Sequence, residues 1–512
     1  MGKNLTKYST LRLILGDQLN IKHSWFKETK HSTLYVLMEI RSETDYVTHH
    51  IQKVIGFFAA MREFGRQLRL AGHNVEYFQI TDDFNKQSFE ENLSNLISDH
   101  KIERFEYLEP DEYRLDVILK TFVRKLNIAS EIYSTEHFYT NRNELGNFFK
   151  DKKESVMETF YRDMRKRHDI LMISGKPEGG KWNFDHSNRK PYKGEPPIPS
   201  FKYFLNQVED IVADIKNSEI KTIGNFETKT FNYPINRSQA LEQLKFFCSE
   251  LLQYFGDYQD AMVTGEPYLF HSRLSFALNL KLIGPKDIVQ TVLNYYRKNK
   301  TTIDISQVEG FIRQIVGWRE FMRGMYWWQM PDLKNSNFLK NHNNLPSFYW
   351  GAKTEMNCLK HTIKDSLDNG YAHHIQRLMI TGNYALLNET NPDEVDNWYL
   401  GIYVDAVEWV QLPNTRGMSQ FADGGKMATK PYVSSANYIN KMSDYCPKCT
   451  YNHKEKYTDN ACPFNSLYWN FLDSKKSFLK DNPRMGMMYS LLDKMEPDEK
   501  EKIIERASSF LK

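Results

Sequence analysis

The chain has 512 residues and a mass of 60.6 kDa, a length that allows about two to four domains with buried cores. Its 40% hydrophobic and 26% charged residues exclude an intrinsically disordered protein. With 68 Lys and Arg against 65 Asp and Glu, the net charge is only +3, which excludes a uniformly basic nucleic-acid-binding protein but allows a local basic face.

The N-terminus and the cysteines indicate the compartment. No long apolar run precedes the first polar residues, so we expect neither a secretory signal peptide nor a membrane span. Five cysteines are too few for a disulfide scaffold, and their odd number favours a reducing environment. We therefore expect a cytoplasmic protein that makes no membrane contact.

Residues 1–140 have the pattern of an α/β domain, and the predicted fold class is a doubly wound parallel sheet followed by an all-α domain. Apolar runs predict strands at 11–15, 34–38, 75–80, 105–108 and 132–133, and a helix over 46–71 follows the second strand. Ligands of such sheets bind beyond the carboxyl ends of the strands. This rule places five residues at the rim: Gly16, Asp17, Gln18, Glu39 and Glu109. No GxGxxG follows the first strand, so the dinucleotide fingerprint is absent.

Residues 141–236 form a connector, and residues 237–512 are helical in pattern almost throughout. The connector contains the loop GGKWNFDHSNRKPYKGEPPIP at 179–199, which is long for a simple linker. It is either a solvated crossover or a loop that contacts a ligand or nucleic acid. Basic residues beside aromatic ones, here Lys181, Trp182 and Arg189, favour the second interpretation.

Four of the five cysteines have spacing typical of a metal site. Cys446-Pro-Lys-Cys449 precedes Cys462-Pro463 by twelve residues, and Cys358 lies far upstream. Four thiolates suit a tetrahedral zinc ion or an iron–sulfur cube, and the spacing alone does not separate the two or exclude that no metal binds. Cys248 lies in an apolar helical pattern and is interpreted as a core thiol.

Several long strings resemble the photolyase/cryptochrome superfamily, and within it the iron–sulfur bacterial subfamily that includes prokaryotic (6-4) photolyases. They are LILGDQL (13–19), VEGFIRQIVGWREFMRGMYW (308–327), NGYAHHIQRLMITGNYALL (369–387), WYLGIYVDAVEWVQLPNTRGMSQFADGG (398–425), KPYVSSANYINKMSDYCPKC (430–449) and DNACPFNSLYW (459–469). The resemblance implies an N-terminal α/β domain that holds an antenna pigment, a long connector, and an all-helical domain that binds FAD in a folded shape. That mode of binding needs no GxGxxG.

The resemblance also implies the cofactors and the residues that bind them. For FAD these are His271, Ser272, Leu274, Ser275, Asn383, Glu408, and Arg377 with Asp405, which the resemblance implies form an ion pair beside the flavin ring. For a [4Fe–4S] cluster they are Cys358, Cys446, Cys449 and Cys462. For a 6,7-dimethyl-8-ribityllumazine antenna at the sheet rim they are Asp17, Gln18, Glu39, Tyr46, His50 and Glu109. From carboxylates alone, Asp185 and Asp260 are candidates for a divalent cation such as Mg²⁺.

The activity that the resemblance implies is light-driven reversal of (6-4) photoproducts in UV-damaged DNA by a monomeric enzyme. His374 matches the proton donor, with His373 beside it and Tyr432 as a helper, whereas Leu378 stands where eukaryotic enzymes carry a second histidine. Trp398, Tyr399 and Trp350 match an electron-transfer chain, and Lys181, Trp182, Arg189, Trp318, Arg319 and Glu320 are expected at the DNA or lesion.

Two other functions remain open from the sequence. A cryptochrome-type blue-light receptor would share the photochemical residues and repair no DNA. An iron–sulfur nucleic-acid-binding module like that of primase large subunits would share only the cysteine region. His374, the basic loop and the segment around Trp318 favour repair.

Overall fold

The computed structural model describes residues 6–511, and within this range a five-stranded parallel sheet forms the N-terminal part. Its strands lie in the order β3-β2-β1-β4-β5. They are β1 (Thr10–Leu13), β2 (Thr33–Met38), β3 (Asn74–Phe78), β4 (Arg104–Leu108) and β5 (Ala129–Tyr133). The chain reverses its direction of travel across the sheet between β1 and β4, so the predicted doubly wound parallel fold is confirmed.

The strand predictions agree best where strands are buried. β2 is buried at all six positions, and its predicted and observed bounds differ by one residue. β5 lies at the sheet edge with Ala129, Ser130 and Glu131 exposed, so only its last two residues carry the apolar signal that the sequence offers.

The helices of this part cover the sheet faces. They span Arg41–Thr44, Ile51–Leu70, Phe89–His100 and Tyr113–Lys125. Helix Ile51–Leu70 also contacts the C-terminal domain through Gly56, where a Cβ atom would lie 2.6 Å from Phe231 and 2.9 Å from Phe276. Glycine therefore permits the close approach of this helix to the aromatic core of the C-terminal part.

The connector consists of short elements. They are the helices Glu144–Phe149, Met157–Arg167 and Glu209–Asn217, the 3₁₀ turns Glu178–Gly180 and Asp185–Ser187, and the strand pairs Met172–Ile173 with Lys176–Pro177 and Asn206–Gln207 with Thr230–Phe231. The loop 179–199 is attached to the helical domain, because the Phe184 amide donates to Glu309 and Arg313 pairs with Asp185 at 3.2 Å.

The C-terminal part is helical. Its α-helices span Arg237–Phe246, Leu252–Tyr258, Ser275–Asn279, Pro285–Lys298, Ile305–Ile312, Glu320–Gln329, Asp332–Asn335, Asn357–Asn369, Asn383–Leu387, Pro392–Ile402, Glu408–Leu412, Ala436–Met442, Pro463–Ser474, Lys476–Leu479, Gly486–Asp493 and Pro497–Ser508. Four π-helical segments extend or join them, at Phe247–Leu251, Arg313–Arg319, Gln376–Gly382 and Pro413–Ser419. A π-helical turn contains about one residue more than an α-helical turn, and such turns are frequent at functional sites. None of the helices within residues 6–511 combines the length and apolar character that crossing a bilayer requires.

The two major parts meet at a buried charged junction. Lys281 contacts Asp17 at 3.0 Å and Asp111 at 2.7 Å, and Arg323 contacts Asp111 at 3.3 Å. Glu320 accepts hydrogen bonds from the backbone amides of residues 139 and 140. Because these charges are buried, water cannot replace their partners, and the junction holds the two parts in one fixed arrangement.

Candidate active site

A glycine turn sets the direction of the segment 371–377. Helix Asn357–Asn369 ends at Gly370, whose φ of +58° is left-handed and whose Cβ would meet Val404 at 2.6 Å. The chain then becomes helical again at His374 and continues as Gln376–Gly382. This turn brings His373, His374 and Arg377 to one place in the C-terminal domain.

His373 and His271 form a buried pair. Their rings stack with centroids 4.7 Å apart and planes 14° from parallel. Both ring nitrogens of His373 and Nε2 of His271 are buried without a hydrogen-bond partner among the described residues. Burial, with the neighbouring His374, lowers the pKa of His271 to about 4, so its imidazole is neutral at pH 7. Unpartnered buried nitrogens of this kind call for a polar ligand.

His374 differs from its neighbour in that solvent reaches its ring, although protein surrounds it on most sides. It therefore lines a recess, which is the name used below for the surroundings of His271, His373, His374 and the Arg377–Asp405 pair. Burial, and then the charge of Arg377, lower the pKa of His374 to about 4. In the free protein the side chain is therefore a neutral imidazole at pH 7.

Arg377 and Asp405, 28 positions apart, form the predicted ion pair. Two hydrogen bonds of 3.0 and 3.2 Å join the guanidinium to the carboxylate, and Arg377 also lies 3.8 Å from the ring centre of Tyr403. Asn279 donates to the backbone oxygen of Asp405 at 2.6 Å. Both members of the pair are largely buried, so the pair is a fixed dipole at the recess rather than a surface contact.

The other residues predicted for FAD lie at three places in the structure. Ser272 accepts a weak bond from the Leu274 amide at 3.4 Å, and Ser275 begins helix Ser275–Asn279. The Asn383 amide both donates to and accepts from Ser434, so its groups already hold the loop before helix Ala436–Met442. Glu408 instead contacts Tyr326 at 2.5 Å and Glu112, at the junction with the α/β part.

Arg319 and Glu320, which are predicted at the lesion, bond to other parts of the protein. Arg319 donates to Asn279 and to the backbone of Leu278, and its cation lies over the Trp409 ring at 4.6 Å. Glu320 is fully buried and binds the segment 139–140. Helical periodicity shows which face is polar but not which part of the protein it meets, and here that face meets the junction. Trp318 packs edge-on against Phe321 in the same helix.

The residues predicted for electron transfer lie in an aromatic group that runs from Arg377 toward the surface. Tyr403, beside Arg377, contacts Trp398 and Tyr399 edge-on at 5.9 and 5.7 Å between centroids. Trp398 contacts Tyr349 at 5.1 Å, and the following Trp350 is 50% exposed. Oxidisable rings thus extend from the recess to solvent.

A basic edge that includes Arg189 and Arg484 lies beside Tyr432. Arg189 and Lys181 are exposed, whereas Trp182 is half-buried among Arg162, Arg165 and Lys166 and anchors the loop. Two carboxylates lie at the same edge. Burial, with Asp185 nearby, raises the pKa of Asp260 to about 6, whereas Asp185 pairs with Arg189 and Arg313.

The four predicted cysteines line one cavity of about 310 Å³, its mouth included, together with Met356, Ala436, Ile439, Tyr445, Tyr451 and His453. All five cysteines of the chain are free thiols. Burial, with the neighbouring thiol of Cys449, raises the pKa of Cys446 to about 12, and burial raises that of Cys462 to about 12 as well. Among residues 6–511, no three His, Cys, Asp or Glu side chains converge closely enough for a single metal ion. Four thiols that line one cavity are a donor set that soft metals and iron–sulfur clusters prefer.

A second cavity, here called the rim cavity, lies beyond the ends of β1 and β2 and encloses about 790 Å³, its mouth included. Of the residues predicted for the antenna, Asp17, Glu39 and Tyr46 line it. The other three do not. Gln18 is bonded to the backbone of residues 15, 108 and 109, His50 caps helix Ile51–Leu70 and contacts the Leu367 oxygen, and Glu109 faces Arg142.

Sequence reasoning missed four ionisable residues of the rim cavity. They are Glu43, His49, Lys53 and Glu112. Lys53 is buried and donates to the Leu400 oxygen at 2.8 Å, and burial lowers its pKa to about 8. Helical spacing could have indicated two of them, because His49 and Lys53 follow Tyr46 at intervals of three and four residues and therefore share one face of the predicted helix with it.

Comparison with known proteins decides the family. The chain is 41% identical over 508 residues to a (6-4) photolyase from Agrobacterium fabrum, which covers 98% of this chain and 99% of the relative. The chain belongs to the photolyase/cryptochrome superfamily. Residues 12–231 match the family described as "Deoxyribodipyrimidine photo-lyase-related protein".

Solved structures of the superfamily share the fold. A bacterial class III photolyase from Agrobacterium tumefaciens and a cryptochrome from Synechocystis each align with a TM-score of 0.54, at 13% and 12% identity. Each alignment covers 97% of this photolyase-family chain and 100% of the other. The predicted superfamily and fold are therefore confirmed.

Proposed function

We propose that the protein is a light-driven DNA repair enzyme, a (6-4) photolyase. The observation that carries this proposal is the near full-length identity to a (6-4) photolyase, combined with an accessible His374 in a recess beside the Arg377–Asp405 pair. The alternative is a photoreceptor, because a cryptochrome shares the fold.

FAD fits the recess. Unpartnered nitrogens of His271 and His373 and the fixed Arg377–Asp405 dipole are groups that hydrogen-bond and electrostatically tune a flavin ring. When bound, FAD supplies the absorption of light and the electron for repair. The segment 271–275 would hold its diphosphate. Trp350, Trp398 and Tyr399 would carry electrons from the surface to reduce it.

His374 would deliver the proton. A general acid must hold its proton at the working pH, whereas burial and Arg377 keep the free side chain neutral. DNA phosphates at the recess mouth favour the imidazolium form and raise this pKa, so the histidine becomes an acid when substrate is present. Tyr432, at the same edge as Arg189, would help to orient the lesion.

The cysteine cavity would hold a [4Fe–4S] cluster ligated by Cys358, Cys446, Cys449 and Cys462. Four thiols lining about 310 Å³ supply the ligand set of such a cluster. The cluster would act as a clip between helix Asn357–Asn369 and the loop 446–462. We expect Cys446→Ala to lose iron, flavin and solubility together, whereas the core variant Cys248→Ala retains all three. A soluble, flavin-loaded Cys446→Ala protein would contradict the clip.

The rim cavity would hold the lumazine antenna. Its carboxylates, tyrosine and buried lysine suit the carbonyl and ring-nitrogen groups of a pteridine and the hydroxyls of a ribityl chain. Asp17, Glu39 and Tyr46 are retained as candidate contacts, with Lys53 added.

DNA would bind across the basic edge, with Lys181 and Arg189 contacting phosphates. Arg189→Ala should reduce the slope of log affinity against log salt by about 1, equally for damaged and undamaged DNA. Lys30→Ala, in the exposed segment before β2, is the control, and an unchanged slope in Arg189→Ala would remove this residue from the interface. Asp185 and Asp260 would bind Mg²⁺ there, which predicts tighter DNA binding when Mg²⁺ replaces an equal ionic strength of Na⁺.

One assay tests the main proposal. The reduced protein is illuminated with blue light in the presence of an oligonucleotide that carries one (6-4) lesion, and restored thymines are measured by chromatography. Repair of this lesion and not of a cyclobutane dimer is the expected result. Flavin photoreduction without restored thymines would favour the photoreceptor.

A further inference from the structure

Two buried side chains, Tyr445 and Gln376, join the cysteine cavity to the helix that carries His374. Tyr445 lines the cavity, precedes Cys446 and is fully buried. Its ring lies parallel to that of His361, with centroids 5.9 Å apart, and its backbone oxygen accepts a 2.9 Å bond from Asn357. Tyr445 is thus bound to the helix that provides Cys358.

Gln376 continues the connection into the recess. Its Nε2 donates to the Tyr445 hydroxyl at 3.2 Å, and its Oε1 accepts from the backbone amide of His373 at 3.1 Å. The second bond is half of a capping box, in which the third residue of a helix satisfies the amide just before the helix. Gln376 is completely buried, so the tyrosine hydroxyl and the His373 amide together fix the orientation of its amide group.

The connection ends beside His374 and Arg377, the residues proposed to act in repair. His374 is the first residue after the capped position, and Arg377 follows Gln376 directly. A displacement of Tyr445 therefore changes the start of this helix and the direction in which the His374 ring points. Binding one group to four cysteines would fix Cys446 relative to Cys358, and Tyr445 lies between the two.

We propose that Tyr445 and Gln376 are positioning residues that make the placement of His374 depend on the occupation of the cysteine cavity. This inference rests on the proposed [4Fe–4S] cluster and adds to it a function in repair. The chain's own hydrogen bonds supply the coupling, and no electron needs to pass between the two sites.

Hydrogen exchange tests the coupling directly. Amide exchange in peptide 371–378 is measured by mass spectrometry on the flavin-loaded protein, before and after anaerobic removal of iron by a chelator. In the wild type, iron removal should accelerate exchange roughly tenfold, because the capped amide opens more often. In Tyr445→Phe, exchange should be fast in both states. The matched control is Tyr451→Phe, which alters another cavity-lining tyrosine and should keep the response to iron.

The outcomes separate this inference from the cluster assignment. If Tyr445 were purely structural, Tyr445→Phe would accelerate exchange in both states but keep the difference between the iron-loaded and iron-free protein. That result would overturn the coupling. So would a wild-type protein that binds iron but shows no response. A wild-type protein without iron would overturn both proposals. Gln376→Met is the second variant, and it should lose the response in the same way even if Tyr445→Phe does not fold.

Discussion

The recess and the rim cavity differ in how their polar groups are satisfied. In the recess, ring nitrogens of His271 and His373 are buried without partners. In the rim cavity His49 also has one unpartnered ring nitrogen, but the charged groups pair with neighbours, as in Glu39 with Arg62 at 2.7 Å and Glu43 with Arg114. A site whose charged groups are paired is stable when empty, whereas a site with several unpartnered buried groups gains more stability from its ligand. The difference predicts that flavin is required for a stable protein and that the antenna is dispensable.

The largest effect is expected at the recess. His374→Ala should lower the repair rate by roughly 10²- to 10⁴-fold, the contribution typical of a positioned general acid, and should leave bound flavin unchanged. Repair is measured by restored thymines per absorbed photon. His31→Ala, an exposed histidine of the α/β part, is the control. Near-normal repair by His374→Ala would assign proton delivery to another group.

Removal of the carboxylate at Asp405 should cost stability and flavin together. Asp405→Ala leaves the largely buried Arg377 without its partner, a change that costs about 3–5 kcal/mol in comparable buried pairs. Chemical denaturation and the flavin-to-protein ratio are the measurements. Asp45→Ala, which removes an exposed i,i+4 pair with Arg41, should change the free energy of unfolding by less than about 1 kcal/mol. Full flavin loading of Asp405→Ala would contradict a role of the pair at the flavin.

Acid should lower the free energy of unfolding, because His50 and His271 are neutral in the folded protein. Burial lowers the pKa values of His50, behind the rim, and His271, in the recess, to about 4. Between pH 6.5 and 4 the unfolded chain binds protons that the folded chain does not, so stability falls as pH falls, by up to about 3 kcal/mol per histidine.

The matched variant for this pH dependence is His50→Asn, which keeps a capping side chain and removes one titrating group. The free energy of unfolding measured from pH 7 to 4.5 should fall less steeply in this variant. An identical slope in the wild type and the variant would contradict the assignment to His50.

The smallest effect is expected at the rim cavity. Lys53→Met should weaken binding of 6,7-dimethyl-8-ribityllumazine about tenfold, because one charged hydrogen-bond donor is lost, while flavin content and repair by directly excited flavin remain unchanged. Fluorescence titration measures the affinity. Lys30→Met, on the exposed segment before β2, is the matched control. Equal affinities in Lys53→Met and the wild type would remove Lys53 from the site.

The sequence predicted different aspects of these two regions. At the rim, the position of Asp17 and Glu39 followed from strand ends, and that of Tyr46 from the family resemblance. Gln18 and His50 were predicted there too, but their polar atoms bond to the backbone. Position along a strand or helix does not determine which partner a side chain finds.

In the helical domain, periodicity located helices but could not pair Arg377 with Asp405, because no local pattern links residues 28 positions apart. The family resemblance supplied that pair. Neither periodicity nor the resemblance indicated that Arg319 and Glu320 bond at the junction, and neither indicated the bonds of Gln376.

The cation of Lys281 has a consequence for the ancestry and engineering of this protein. It lies between Asp17 and Asp111, so a cation of the helical domain neutralises two carboxylates of residues 1–140. A gene fragment encoding residues 1–140 would produce a protein with two stranded carboxylates and a bare apolar surface, and it should aggregate when expressed alone. Recombination that exchanges residues 1–140 between relatives should succeed only where the recipient carries a cation at the same position.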